Sequence, residues 1–133
     1  MQRLCSEADI LLVSVPLGDR TRGVIGAAEL DALGPDGIVI NVARGPVVDE
    51  HALYTALADR RIKAAAIDVW YNYPSDGTNR ADPATEPFGE LDNVLVTPHI
   101  SGVVQATFDA RIHDIAANLL ALRNGTKLIN VVE

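Results

Sequence analysis

The chain of 133 residues carries 11 Lys and Arg against 18 Asp and Glu, a formal net charge of −7 with the histidines neutral. That balance disfavours nucleic acid and anionic membrane as partners, since both need a basic face. Hydrophobic residues make up 48% and charged residues 22%, which excludes a disordered or fibrous chain and is enough for one self-sufficient globular domain.

Residues 9–15, Asp-Ile-Leu-Leu-Val-Ser-Val, form a nearly continuous apolar run stopped by Pro16, the pattern of a strand buried on both faces. Residues 25–33 offer a short helix. The turn Gly34-Pro35-Asp36-Gly37 leads into a second apolar run at 38–43. Asp49 is placed to cap a helix in which Ala52, Leu53, Ala56 and Leu57 share a face, with Arg60 and Arg61 near its C-terminal dipole. A third run covers 64–69. From Trp70 to Asp92 there is no periodicity, but there are three prolines (Pro74, Pro83, Pro87) and two glycines (Gly77, Gly89), which reads as one long loop. A fourth, shorter run at 93–97 ends at Pro98. The longest helix spans about Ser101 to Arg123, with Val104, Phe108, Ile112, Ile115, Leu119 and Leu122 forming a stripe expected to lie on the sheet, and ends at Asn124-Gly125.

Strands alternating with helices predict an α/β fold, a partial Rossmann-like parallel sheet of about four strands with flanking helices in a single domain covering residues 1–133. Cys5 is the single cysteine, and no Cys and His spacing resembles a metal site, so no disulfide and no metal are expected. No apolar run approaches the roughly 18 residues of a membrane span, and residues 1–9 lack a signal-peptide core. The expectation is a soluble, cytoplasmic protein.

Open parallel sheets bind ligands beyond the carboxyl ends of their strands. Those ends gather Ser14 to Leu17, then Asn41 and Ala43 to Gly45, then Asp68, then His99. Arg44, on stiff backbone before Gly45-Pro46, is a bidentate donor suited to a carboxylate ligand, although a surface ion pair would explain it equally well. Asp68 within an apolar strand requires hydrogen-bond donors, either from a ligand amide or from a structural cap. His99 can exchange protons near neutral pH. His51 and His113, on helices with no convergent partners, read as structural, and Met1, Trp70 and Phe88 as core or loop filling. Arg44 and His99 are expected to face a common cavity.

Four segments together carry a family resemblance: Pro16-Leu17 with Thr21 and Ile25; residues 40–50, Ile-Asn-Val-Ala-Arg-Gly-Pro-Val-Val-Asp-Glu; Asp68-Val69; and residues 97–102, Thr-Pro-His-Ile-Ser-Gly. In order and spacing the chain resembles the nucleotide-binding domain of D-isomer-specific 2-hydroxyacid dehydrogenases. The ending, Ile129-Asn130-Val131-Val132, is similar as well.

The resemblance implies an NAD-dependent oxidoreductase moving hydride between NAD(H) and a small 2-hydroxy or 2-keto acid, with NAD ahead of NADP. It gives Arg44 the substrate carboxylate and keto oxygen, and His99 the proton. It gives Val42, Ala43, the Arg44 backbone and Asp68 the nicotinamide. Pro16 and Thr21 would line the cofactor, and His99, Ser101 and Gly102 would close over it. A non-catalytic NAD-sensing or partner-binding module of the corepressor type is the alternative.

Two departures from the family pattern stand out. The family has a glutamate, followed by proline, that orients the histidine; here Tyr73 fills that slot, and a neutral phenol does not stabilise imidazolium as a carboxylate does. Glu86-Pro87 competes for that role, but Pro87-Phe88 fits better as an apolar anchor before the last strand. In addition, nothing before Asp9 resembles a strand followed by a Gly-x-Gly-x-x-Gly turn, so the chain resembles the second half of a dinucleotide-binding domain, without the pyrophosphate cradle or a substrate domain. The strand at 9–15 would then present an open apolar edge, covered by a second copy of the chain or by residues 1–8 and the C-terminal tail. Within the loop, Tyr71, Tyr73 and Arg80 either cover the site or are solvated.

Overall fold

The computed structural model describes residues 1–74 and 82–131; Gly77, Arg80 and Val132 lie outside the described residues. Four short strands, β1 (Ile10–Val13), β2 (Ile38–Asn41), β3 (Ala64–Ile67) and β4 (Val94–Val96), lie side by side in chain order, all parallel. Leu11, Val39, Ala65 and Val94 are level across the sheet, and so are Val13, Asn41, Ile67 and Val96. The crossovers after β1 and β2 carry helices α2 (Ala27–Leu33) and α3 (Glu50–Ala58), preceded in the chain by α1 (Gln2–Ser6), a short helix without a signal in the sequence pattern. The fold class and the four strands are as the sequence predicts.

Side chains alternate across a strand, so one register decides which residues enter the core. Leu11, Val13, Val39, Ala65 and Ile67 pack with Cys5 of α1, Leu30 and Leu33 of α2, and Leu53 and Leu57 of α3. The expectation that the first strand is buried on both faces is corrected: Ile10 is 55% and Leu12 59% exposed, and in β4 Leu95 is 65% exposed. Apolar runs were read as double-sided burial, yet among these strands β1 and β4 are the edges of the sheet, with the least cover. Residues 1–8 do not pair along the open edge of β1 either; α1 packs on α2 and buries Cys5, whose thiol pKa is pushed up by that burial.

Asp49 caps α3 as expected, its carboxylate accepting the Ala52 N–H at 2.8 Å. Gly37 follows the α2 turn closely enough that a Cβ there would collide with Leu33, which accounts for glycine at that position. Phe88 is buried, edge-on to Tyr54 at 5.7 Å and stacked on Tyr71 at 6.4 Å, as the anchor ahead of β4.

By its internal contacts the chain divides into two compact units, Met1–His99 and Ile100–Glu133. In the second unit, helix α4 (Gln105–Asn124) has Val104 as its N-cap, starts four residues later than predicted, and ends at Gly125 in the left-handed region with φ 65°. Asn118 fastens the following tail, accepting the Ile129 N–H at 2.9 Å and donating to the Ile129 carbonyl at 3.0 Å. No residue of α4 is buried, and Phe108, Ile112, Ile115, Leu119 and Leu122 are exposed. Among the described residues no helix is long and apolar enough to cross a membrane, and no cluster of His, Cys, Asp or Glu could hold a metal ion.

Candidate functional site

Because every strand runs the same way, the carboxyl ends share one rim, and the segments leaving them hold the residues of interest. Asn41, at the end of β2, is 1% exposed. Its Oδ1 accepts the Ala43 N–H and its Nδ2 donates to the Arg44 carbonyl, both at 3.1 Å. A buried side-chain amide satisfied this way dictates the path of the turn that carries Arg44. Arg44 Nη1 donates to the Ala43 carbonyl at 2.7 Å. With Val42 and Ala43, Arg44 lines a pocket of about 460 Å³ whose other wall is Ser14, Val15, Pro16 and Leu17. Thr21 does not line this pocket; its hydroxyl donates to the Pro16 carbonyl at 2.7 Å and accepts the Gly18 N–H at 2.8 Å, shaping the turn that presents Pro16.

The segment after β3 ties these turns to β4. Asp68 is 4% exposed; it accepts the Thr97 hydroxyl at 2.5 Å, and its N–H donates to the Asn41 carbonyl at 3.1 Å. The donor that the sequence required for Asp68 is thus supplied in part by a residue 29 positions away. Trp70 Nε1 donates to the Thr97 carbonyl at 3.0 Å. Gly45 is pressed against the same tryptophan: a Cβ at position 45 would stand 2.5 Å from the Trp70 carbonyl carbon and 2.9 Å from the Tyr71 nitrogen.

Tyr73 Oη accepts the Trp70 N–H at 3.1 Å and stands 3.0 Å from His99 Nδ1. Tyr73, and not Glu86, is therefore the neighbour of His99. His99 itself has φ 60°, a left-handed backbone, and with Trp70, Asn72, Tyr73 and Pro98 it lines a cleft of about 380 Å³. Strained backbone of this kind is characteristic of functional positions. Arg44 and His99 share the rim, each lining a pocket there. The strand order places the segment after β3 between them. Ser101 and Gly102 fall in the second unit, in the turn before α4.

Behind the rim, the chain from 82 to 88 is fastened to α3. Glu50 accepts the N–H groups of Thr85 and of Glu86, the latter at 2.9 Å, and the Pro83 carbonyl accepts from Tyr71 and Asn72 at 3.1 and 3.0 Å. His51, read from the sequence as partnerless, has Glu86 Oε1 at 2.7 Å from its Nδ1. The hydrogen bond to Glu86, followed by that carboxylate's charge, raises the His51 pKa above its ordinary 6.5. The buried Tyr71 hydroxyl has no hydrogen-bond partner among the described residues; burial first, then Glu50 and Asp49, pushes its pKa up.

The residues present fit one end of a dinucleotide. Arg44 is a fixed cation, Asp68 a buried acceptor able to meet an amide, and His99 an imidazole at a cleft. At the start of the first crossover helix the Gly26 N–H is taken by the Glu29 carboxylate at 3.2 Å. Residues 1–101 match the family model of the D-isomer specific 2-hydroxyacid dehydrogenase, NAD binding domain. The chain belongs to this family.

Among its relatives is D-3-phosphoglycerate dehydrogenase of Escherichia coli strain K12, 35% identical over 129 residues, which are 97% of this chain and 31% of that enzyme. A D-isomer specific 2-hydroxyacid dehydrogenase from Xanthobacter autotrophicus Py2, in complex with NADPH and MES, matches with TM-score 0.77 and 34% identity, over 99% of this chain and 51% of that one. The NAD-complexed 2-hydroxyacid dehydrogenase of Lactobacillus delbrueckii ssp. bulgaricus matches with TM-score 0.87 and 25% identity, over 100% of this chain and 42% of that one. The chain thus spans about a third of the curated relative's length and about half or less of these solved structures. It is an NAD-binding domain of the 2-hydroxyacid dehydrogenases, and its neighbours hold NADPH as well as NAD.

Two predictions follow from this geometry. Gly45→Ala destabilises the fold by about 1–3 kcal/mol in urea unfolding, because backbone rather than a flexible side chain opposes the new Cβ; an unchanged midpoint contradicts the close contact. A raised folded-state pKa on His51 means that its pairing with Glu86 stabilises fully below the ordinary 6.5 and fades as pH climbs through the raised value. In an NMR titration His51 therefore ionises above that ordinary value, and Glu86→Gln moves it back down; equal midpoints in the two proteins contradict the pairing.

Proposed function

We propose that the rim holds the nicotinamide end of NAD(H) together with a small 2-keto or 2-hydroxy acid, as the cofactor-binding part of a 2-hydroxyacid dehydrogenase. The observation carrying this reading is the convergence of the four motif segments at the carboxyl ends of one parallel sheet, cross-tied through Asp68, Thr97 and Trp70. When bound, the nicotinamide supplies or accepts the hydride.

The chain's own residues do the rest. Arg44 grips the substrate carboxylate and polarises the keto oxygen, being a rigid fork that cannot lose its charge. His99 gives the proton to that oxygen in reduction. Asp68 accepts from the carboxamide, while Val42, Ala43 and Pro16 line the ring and Thr21 holds the Pro16 turn. We place the protein in the cytoplasm, with the open edge of β1 taken up by a second copy of the chain.

Titration with NADH, followed by nicotinamide fluorescence and then by addition of glyoxylate, hydroxypyruvate or pyruvate, tests this function. NADH binds and is oxidised. Arg44→Ala lowers kcat/KM by orders of magnitude through lost binding and orientation, and His99→Ala lowers kcat by about a hundredfold to ten-thousandfold. Absence of NADH binding refutes the cofactor role, and unchanged rates in either variant refute that residue's part.

A further inference from the structure

The Tyr73 phenol touches two groups of unequal freedom. One is the Trp70 backbone N–H, 3.1 Å away, which can only donate; the other is His99 Nδ1 at 3.0 Å, which can donate or accept according to its tautomer. The phenol oxygen already accepts from the amide, which disfavours a second donor on it, and its own proton is available to bridge to the imidazole. Both sides of this bridge are braced. Trp70 is pinned by its indole N–H on the Thr97 carbonyl and by Gly45 against its own carbonyl, while His99 follows Pro98 with a left-handed φ of 60° that fixes where its ring can go. The pair is half in solvent, Tyr73 being 48% exposed, so the arrangement is held by these contacts rather than by burial.

We propose that Tyr73 is a positioning residue that donates its hydroxyl proton to His99 Nδ1 and so keeps the neutral imidazole protonated on Nε2. The nitrogen left to a ligand in the cleft is then a hydrogen-bond donor in the neutral state as well as in the charged one. A donor at that atom recognises a carbonyl oxygen, whereas a base there would recognise a hydroxyl proton. The neutral site is accordingly set to receive the 2-keto acid in preference to the 2-hydroxy acid. A carboxylate in the same place can only accept; it would draw the proton to Nδ1 and leave Nε2 as a base. Exchanging an obligate acceptor for a phenol tied to a backbone donor reverses the polarity of the imidazole.

This inference rests on His99 as the group that meets the substrate oxygen, but it is tested without cofactor or turnover. The imidazole nitrogens of the whole 133-residue chain, labelled with nitrogen-15, are read by long-range proton–nitrogen correlation at a pH where His99 is neutral. The expected result is a single tautomer with a bare Nδ1 and a protonated Nε2. Tyr73→Phe relaxes this to a mixture of the two tautomers, and Tyr73→Glu inverts it to protonated Nδ1. A protonated Nδ1 in the unaltered chain overturns the inference, and so does a Tyr73→Phe spectrum identical to that of the unaltered chain. Should either variant fail to fold, the spectrum of the unaltered chain decides alone. Loss of NADH binding alongside the expected tautomer would remove the proposed function and leave this pairing standing; NADH binding alongside a protonated Nδ1 would do the reverse.

Discussion

The backbone of Gly45 lies so close to the carbonyl of Trp70 that no other residue fits between them, and from this contact the arrangement of the rim follows. The glycine belongs to the turn that carries Arg44; the tryptophan belongs to the segment that carries Tyr73 and braces the end of β4. Held together at this point, three strand ends act as one surface. The hydrogen bonds around it serve the same end: Asn41 shapes the Arg44 turn from beneath, and Asp68 joins β2 and β4 across β3. Buried polar groups so connected specify one geometry, since each would be costly without its partners.

Much of this was legible in the sequence. Apolar runs of five to seven residues between helical patterns identified the strands and their parallel sense, and Asp49 and Gly125 marked helix ends through chemistry that is local to the chain. Strand-end position selected Arg44, Asp68 and His99 with no knowledge of their contacts. What could not be read was pairing over long separations. Nothing in the spacing shows that Thr97 supplies the Asp68 donor, that Glu86 meets His51 and not His99, or that Glu50 holds residues 85 and 86. Helix α1 was missed because five residues are too few for a periodicity. Its burial of Cys5 was the available clue, and a cysteine by itself points to no element.

Burial was the least legible property. A run such as residues 9–15 reads alike whether a strand is central or at an edge, so Ile10 and Leu12 were assigned to a core that does not reach them. The stripe of α4 raises the same issue: a helical spacing of apolar residues states that a face exists and is silent on what covers it. The chain belongs to the 2-hydroxyacid dehydrogenases and spans about half or less of these relatives' length. Position 73 is the place where the geometry could be checked directly: the phenol stands beside the imidazole.

The central claim is that NAD(H) is held at the carboxyl rim of the sheet and nowhere else. An amide chemical-shift map of the labelled chain on addition of NADH tests it most directly. The account predicts that the changes concentrate at residues 14–17, 42–45, 68–73 and 97–99. Unmoved amides in those four segments at saturating NADH, with changes confined to the outer faces of α2 and α3, would contradict it.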